Sequence, residues 1–64
     1  MNDDLGKRMI AYRARHNMSQ EELAQKAKLN VMTVNFAENG TRTISKLTRE
    51  KIELVIKEDE KNEI

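Results

Sequence analysis

The sequence predicts an all-α fold, a bundle of four short helices, or four and a short fifth, arranged around a central helix pair. Three observations predict it. The 64 residues contain no Pro and only two Gly, so little interrupts a helix. Strong helix formers run throughout, with apolar residues recurring at spacings of three and four. Ser19 and Asn39-Gly40 carry the local chemistry of a helix start and a helix stop.

The first helix is expected from about Asp3 to His16. Asn2, Asp3 or Asp4 can cap it, and the acids suit the positive end of the helix dipole. Leu5, Met9 and Tyr12 are spaced by four and three and share one face. Lys7, Arg8, Arg13 and Arg15 lie largely off that face, and cations late in a helix are favourable. Asn17, which tolerates the left-handed conformation, ends the helix.

The second segment opens on a capping box. In Ser19-Gln20-Glu21-Glu22 the hydroxyl accepts from the Glu22 amide, and the Glu22 carboxylate accepts from the Ser19 amide. Met18 and Leu23 flank the cap as a hydrophobic staple. Leu23, Ala24 and Ala27 form a narrow face of mostly small residues, which lets a neighbouring helix come close. Lys28-Leu29-Asn30 breaks the helix. Asn30 then caps a third helix from Val31 to about Glu38, which stops at Asn39-Gly40. Two helices of about eight residues joined by a three-residue turn constitute a helix-turn-helix, here spanning 19–38.

Thr41 to Ser45 is a polar connection. The fourth helix begins between Ser45 and Thr48. Thr48 is the preferred cap, because Leu47 and Ile52 would then staple it. Ile52, Val55 and Ile56 make its apolar stripe, with Leu54 outside. The domain is read as 1–57, followed by a charged, disordered tail at 58–64.

Composition narrows the function. A chain this short buries about 60% of the surface its unfolded form exposes, so its core is thin and oligomerisation would help. There is no Cys, and His16 is the single His. A disulfide framework is excluded, and no metal is expected. His16 reads as a surface residue, and Met9 and Met18 as core. No nucleophile has a nearby base and no glycine-rich phosphate loop exists, so the reading is no enzyme, no cofactor and no small-molecule substrate. No apolar run reaches the length of a signal peptide or membrane span, and the acidic opening is unlike a leader; a soluble, cytoplasmic protein without a membrane partner is expected. Net charge is +1, but the last seven residues hold four acids against one Lys. The basic body this leaves suits a polyanion such as double-stranded DNA.

With these residues placed, the chain resembles the Cro-like phage-repressor (XRE) helix-turn-helix family over roughly residues 5 to 56. The resemblance is carried by Leu5-Gly6-Lys7-Arg8, Arg13, Met18-Ser19-Gln20-Glu21-Glu22-Leu23-Ala24, Val34, Glu38-Asn39-Gly40 and Arg42. It implies that Val31, Met32, Asn35 and Phe36 face base edges, with Val34 and Ala37 turned inward. It implies that Gln20 meets a phosphate or outer base, and that Asn39, Thr41 and Arg42 grip the DNA backbone. Arg13 and Glu38 match a pair that ties the first helix to the third. Two departures stand out. Lys28 replaces the usual Gly of the turn, which costs about 1 kcal/mol if the left-handed geometry is kept. The fourth helix also lacks the loop and fifth helix that commonly complete a dimer surface.

A third departure is the apolar character of Val31, Met32 and Phe36, since an exposed apolar patch marks an interaction site. Three readings fit it. Thymine methyls offer apolar contact in the major groove, with Asn35 pairing to adenine. A partner regulator could instead offer a groove, making the chain an antirepressor. Alternatively, Phe36 folds back into the core. The expected function is sequence-specific DNA binding by a phage- or mobile-element-type transcriptional regulator, acting as a homodimer. Ile52, Leu54, Val55 and Ile56 are the candidate dimer interface, on the ground that one small core cannot use them all.

Overall fold

The computed structural model describes residues 5–62, with side chains through residue 58. It contains α1 (Leu5–His16), α2 (Gln20–Ala27), α3 (Val31–Asn39) and α4 (Lys46–Asn62), and no strand among the described residues. The expected caps of α1 at Asn2 to Asp4 lie outside the described residues.

Every helix contributes a stripe to one core. Leu5, Met9 and Tyr12 come from α1, Leu23, Ala24 and Ala27 from α2, Val34 from α3, and Ile52, Val55 and Ile56 from α4. The spacings, four and three in α1, one and three in α2, three and one in α4, keep each set on one helix face, so the periodicity in the sequence is the packing seen here, with α3 adding a single residue. His16 stays on the surface, its ring 4.6 Å from that of Tyr12.

The turns follow from local chemistry. Asn17 is left-handed at φ 52°. The Ser19–Glu22 capping box is complete, with both bonds at 3.0 and 2.8 Å. Lys28 adopts φ 59° and ψ 48°, and its N–H donates to the carbonyls at the end of α2. The left-handed turn is therefore kept without glycine, at a cost of about 1 kcal/mol. Asn30 Oδ1 accepts from the Met32 amide at 2.8 Å, starting α3.

The start of α4 falls within the expected range, at its early end and not at the preferred Thr48. It begins at Lys46, and Ser45 supplies the cap: its Oγ accepts from the Thr48 amide at 3.1 Å. Leu47 is 62% exposed while Ile52 is fully buried, so the proposed staple between them does not form. A hydroxyl three residues earlier can satisfy the free amide, and Thr48 becomes an ordinary first-turn residue. At the other end α4 continues to Asn62, beyond the boundary read at 58. The Glu and Lys of that stretch are good helix formers that extend a helix already nucleated on the core. Residues 63 and 64 lie outside the described residues.

The dimer expectation needs a further correction. Ile52, Val55 and Ile56 are 0%, 7% and 4% exposed, so three of the four candidate interface residues are consumed by the chain's own core. The core has room for all three because α2 and α3 bring little apolar volume, their buried residues being Leu23, Ala24, Ala27 and Val34. Leu54 alone of the four is on the surface.

Glycine is required at one close approach. A Cβ on Gly6 would lie 2.5 Å from the Glu38 carbonyl oxygen and 2.9 Å from that of Ala37. The start of α1 therefore rests directly on the last turn of α3, which fixes how α3 is presented.

Candidate nucleic-acid interface

α3 is held from behind by Val34, which is wholly buried, with Ala37 packed on the core. Its remaining positions form an outer edge that is less uniform than the sequence implied. Met32 is 60% exposed. Val31 is half-buried and packs against the core, which takes it partly out of the reading face. Phe36 is half-buried yet belongs neither to the core nor to the residues packed on it, so the ring does not fold back inside. The Arg42 guanidinium carbon sits 4.9 Å from the centre of that ring.

The polar residues form a connected chain. Asn39 Nδ2 donates to Asn35 Oδ1 at 3.1 Å, and Asn35 Nδ2 approaches Gln20 Oε1 at a long 3.5 Å. Gln20 Nε2 donates to Glu38 Oε1 at 2.9 Å. Glu38 accepts from Arg13 through both oxygens, at 2.7 and 2.9 Å, and Arg13 also donates to the Met18 carbonyl at 3.2 Å. The Glu38 bond raises the Arg13 guanidinium above its ordinary value; burial opposes this, and the Glu38 charge adds to it. This network ties α1, the start of α2 and the end of α3 into one unit. It also sets the side chain of Gln20, which the sequence singled out only as a contact to DNA.

Past α3 the chain turns on Gly40, at φ 68°, whose N–H donates to the Phe36 carbonyl at 2.9 Å. Asn39, Thr41 and Arg42 are all exposed there. The structure thus brings Gln20, Asn35 and Asn39 together by hydrogen bonds, and Phe36 and Arg42 by a cation–ring contact. Thr41 is placed beside them by chain connectivity.

Several contacts went unread in the sequence. Arg8 forms a bidentate ion pair with Glu53, at 3.1 and 3.0 Å, linking α1 to α4. Lys7, Arg42 and Arg49 line a shallow cleft between the start of α1, the loop after α3 and the start of α4. Their separation along the chain gave no signal; only the resting of Gly6 on α3 brings them to one place. Among the described residues no cluster of His, Cys, Asp or Glu could hold a metal ion, and no helix is long and apolar enough to cross a membrane.

Comparison with known proteins agrees with this architecture. The helix-turn-helix family matches residues 9–59, which is most of the chain and includes α2, the turn and α3. No curated protein and no solved structure matches. A bundle with a buttressed third helix, over the span that the family covers, identifies the chain: it belongs to the Cro/C1-type (XRE) helix-turn-helix family of DNA-binding transcription regulators.

Proposed function

We propose that the chain recognises a specific duplex sequence by inserting α3 in the major groove, as a repressor or Cro-like switch protein of the phage or mobile-element kind. One observation carries this reading. Two residues of α3 that the core leaves out are joined, by hydrogen bond or cation–ring contact, to the backbone-contact candidates on either side: Asn35 to Gln20 and Asn39, and Phe36 to Arg42. A base-reading edge continuous with backbone-gripping groups is what register on a duplex requires, since phosphate contacts position and base contacts specify.

Met32 supplies an apolar contact for a thymine methyl, and Asn35 a donor–acceptor pair for adenine. Gln20, Asn39, Thr41 and Arg42 fix the backbone. A module this small makes few contacts, so two copies on a two-fold site, half-sites about one helical turn apart, would supply the affinity. The antirepressor reading needs a broad apolar face. With Val31 drawn onto the core and Phe36 under Arg42, that face is reduced largely to Met32, which favours DNA as the partner.

Selection from a pool of random duplexes tests the proposal. A defined motif should emerge. Asn35→Ala should relax preference at one position of it by about 1–3 kcal/mol. Arg42→Ala should weaken all duplexes alike and reduce the salt slope by about 1. A pool that emerges unenriched, together with capture of a partner protein that Phe36→Ala abolishes, would overturn it in favour of the antirepressor.

A further inference from the structure

Arg42 is an exposed cation in a loop, where a long side chain ordinarily samples many rotamers. Among the described residues it forms no ion pair or hydrogen bond that would fix it. Its guanidinium carbon nevertheless lies over the Phe36 ring, 4.9 Å from the ring centre. The backbone beneath is fixed by the same residue, because the Phe36 carbonyl accepts the Gly40 N–H at 2.9 Å. The Asn39 side chain bonds Asn35 one turn below. Phe36 therefore holds the loop by its carbonyl and the cation by its ring.

A guanidinium carries five N–H donors, so one resting over a ring keeps donors free for an anion. No carboxylate among the described residues neutralises this charge. Beside a helix lying in the major groove, the anion at that place is a backbone phosphate. A ring face covered by a cation is also not presented to a thymine methyl.

We propose that Phe36 is a positioning residue: its ring pre-places Arg42 for a phosphate of the duplex, and does not itself read a base. The inference rests on the DNA-binding reading above. It gives the apolar residue at this position a role that is independent of sequence, whereas Met32 and Asn35 carry the base contacts.

The two roles separate on DNA that contains no preferred site. Affinity for a mixed-sequence duplex of about 20 base pairs is measured by titration at low salt for the wild type and for Phe36→Tyr, Phe36→Leu and Phe36→Met, each with and without Arg42→Ala. Folding of each variant is checked by its melting curve, and the Leu and Met variants guard one another should either fail to fold. Phe36→Tyr keeps the ring and should match the wild type. Phe36→Leu and Phe36→Met should weaken mixed-sequence binding roughly two- to fivefold, the range of an exposed cation–ring contact. In the Arg42→Ala background the same changes should be silent. Unchanged mixed-sequence affinity in the folded Leu or Met variants, or an equal loss when Arg42 is already Ala, overturns the inference and leaves DNA binding standing. Absence of any duplex binding by the wild type overturns both.

Discussion

Two arginine–glutamate pairs leave the same helix, α1, and end on different partners. Arg13 meets Glu38 of α3, and Arg8 meets Glu53 of α4, each through two nearly parallel bonds. The chemistry is alike and the surroundings are not. In the inner pair the Glu38 side chain is 2% exposed and its oxygens also take the Gln20 amide. In the outer pair Arg8 is 36% and Glu53 20% exposed, with Arg49 a further 4.0 Å neighbour. The difference teaches that pairing itself says little about stability; what matters is what each member would face if its partner were removed.

The sharpest break of the comparison is Arg13→Ala. It leaves a nearly buried carboxylate with the Gln20 amide as its remaining donor, so the expected loss is about 3 kcal/mol, the cost of orphaning a charge so little exposed. In a domain of this size that lowers the melting temperature by roughly 15 °C. Arg8→Ala should cost a small fraction of this. Replacing both inner partners together, Arg13→Met with Glu38→Leu, should recover much of the loss, because no charge is then left unpaired. Equal destabilisation by Arg13→Ala and Arg8→Ala, read from melting curves, would remove the distinction drawn between the pairs.

Gly6→Ala probes the contact that brings the inner pair together. The added methyl would meet two backbone carbonyls, Glu38 at 2.5 Å and Ala37 at 2.9 Å. Backbone cannot rotate away as a side chain does, so α1 and the last turn of α3 must separate. The expected cost is about 1–3 kcal/mol, the usual range for overpacking. Melting at the wild-type temperature would mean that the two helices are not in contact at Gly6.

How much of this was legible in the sequence follows the range of the interactions. Ser19, Lys28, Asn30 and Gly40 act within four residues of themselves, and the capping and left-handed turns read from them are the ones present. The apolar stripes were equally plain, because a helix repeats them. Resemblance paired Arg13 with Glu38 across 25 residues, which local grammar could not. Arg8–Glu53 spans 45 residues between two helices whose relative angle no pattern encodes, and it was missed. Ser45 and Thr48 are both competent caps, and local grammar does not choose between them; the structure uses Ser45. The outer face of α3 was read as uniformly exposed since spacing distinguishes inward from outward but not half-buried from free. That is why Val31 and Phe36 were grouped with Met32.

The outer pair should reveal itself through pH more clearly than through its size. A double-mutant cycle on Arg8 and Glu53 is expected to give about 0.2–1 kcal/mol, as solvent screens a pair this open. The hydrogen bond from Arg8 holds the Glu53 carboxyl below its ordinary value of 4.5; burial opposes this, and the charges of Arg8, Lys57 and Arg49 reinforce it. A carboxyl whose pKa is lower in the folded state than in the unfolded chain stabilises above the ordinary value, and that contribution vanishes as pH falls through the folded pKa. Glu53→Gln never has the contribution. It should therefore melt slightly below wild type at neutral pH, and the gap should narrow as the pH falls below 4.5 and close below the lowered folded-state value. Added salt should narrow the neutral-pH gap in the same way. A gap that stays constant through the acid range would mean that the charge of Glu53 contributes nothing to it.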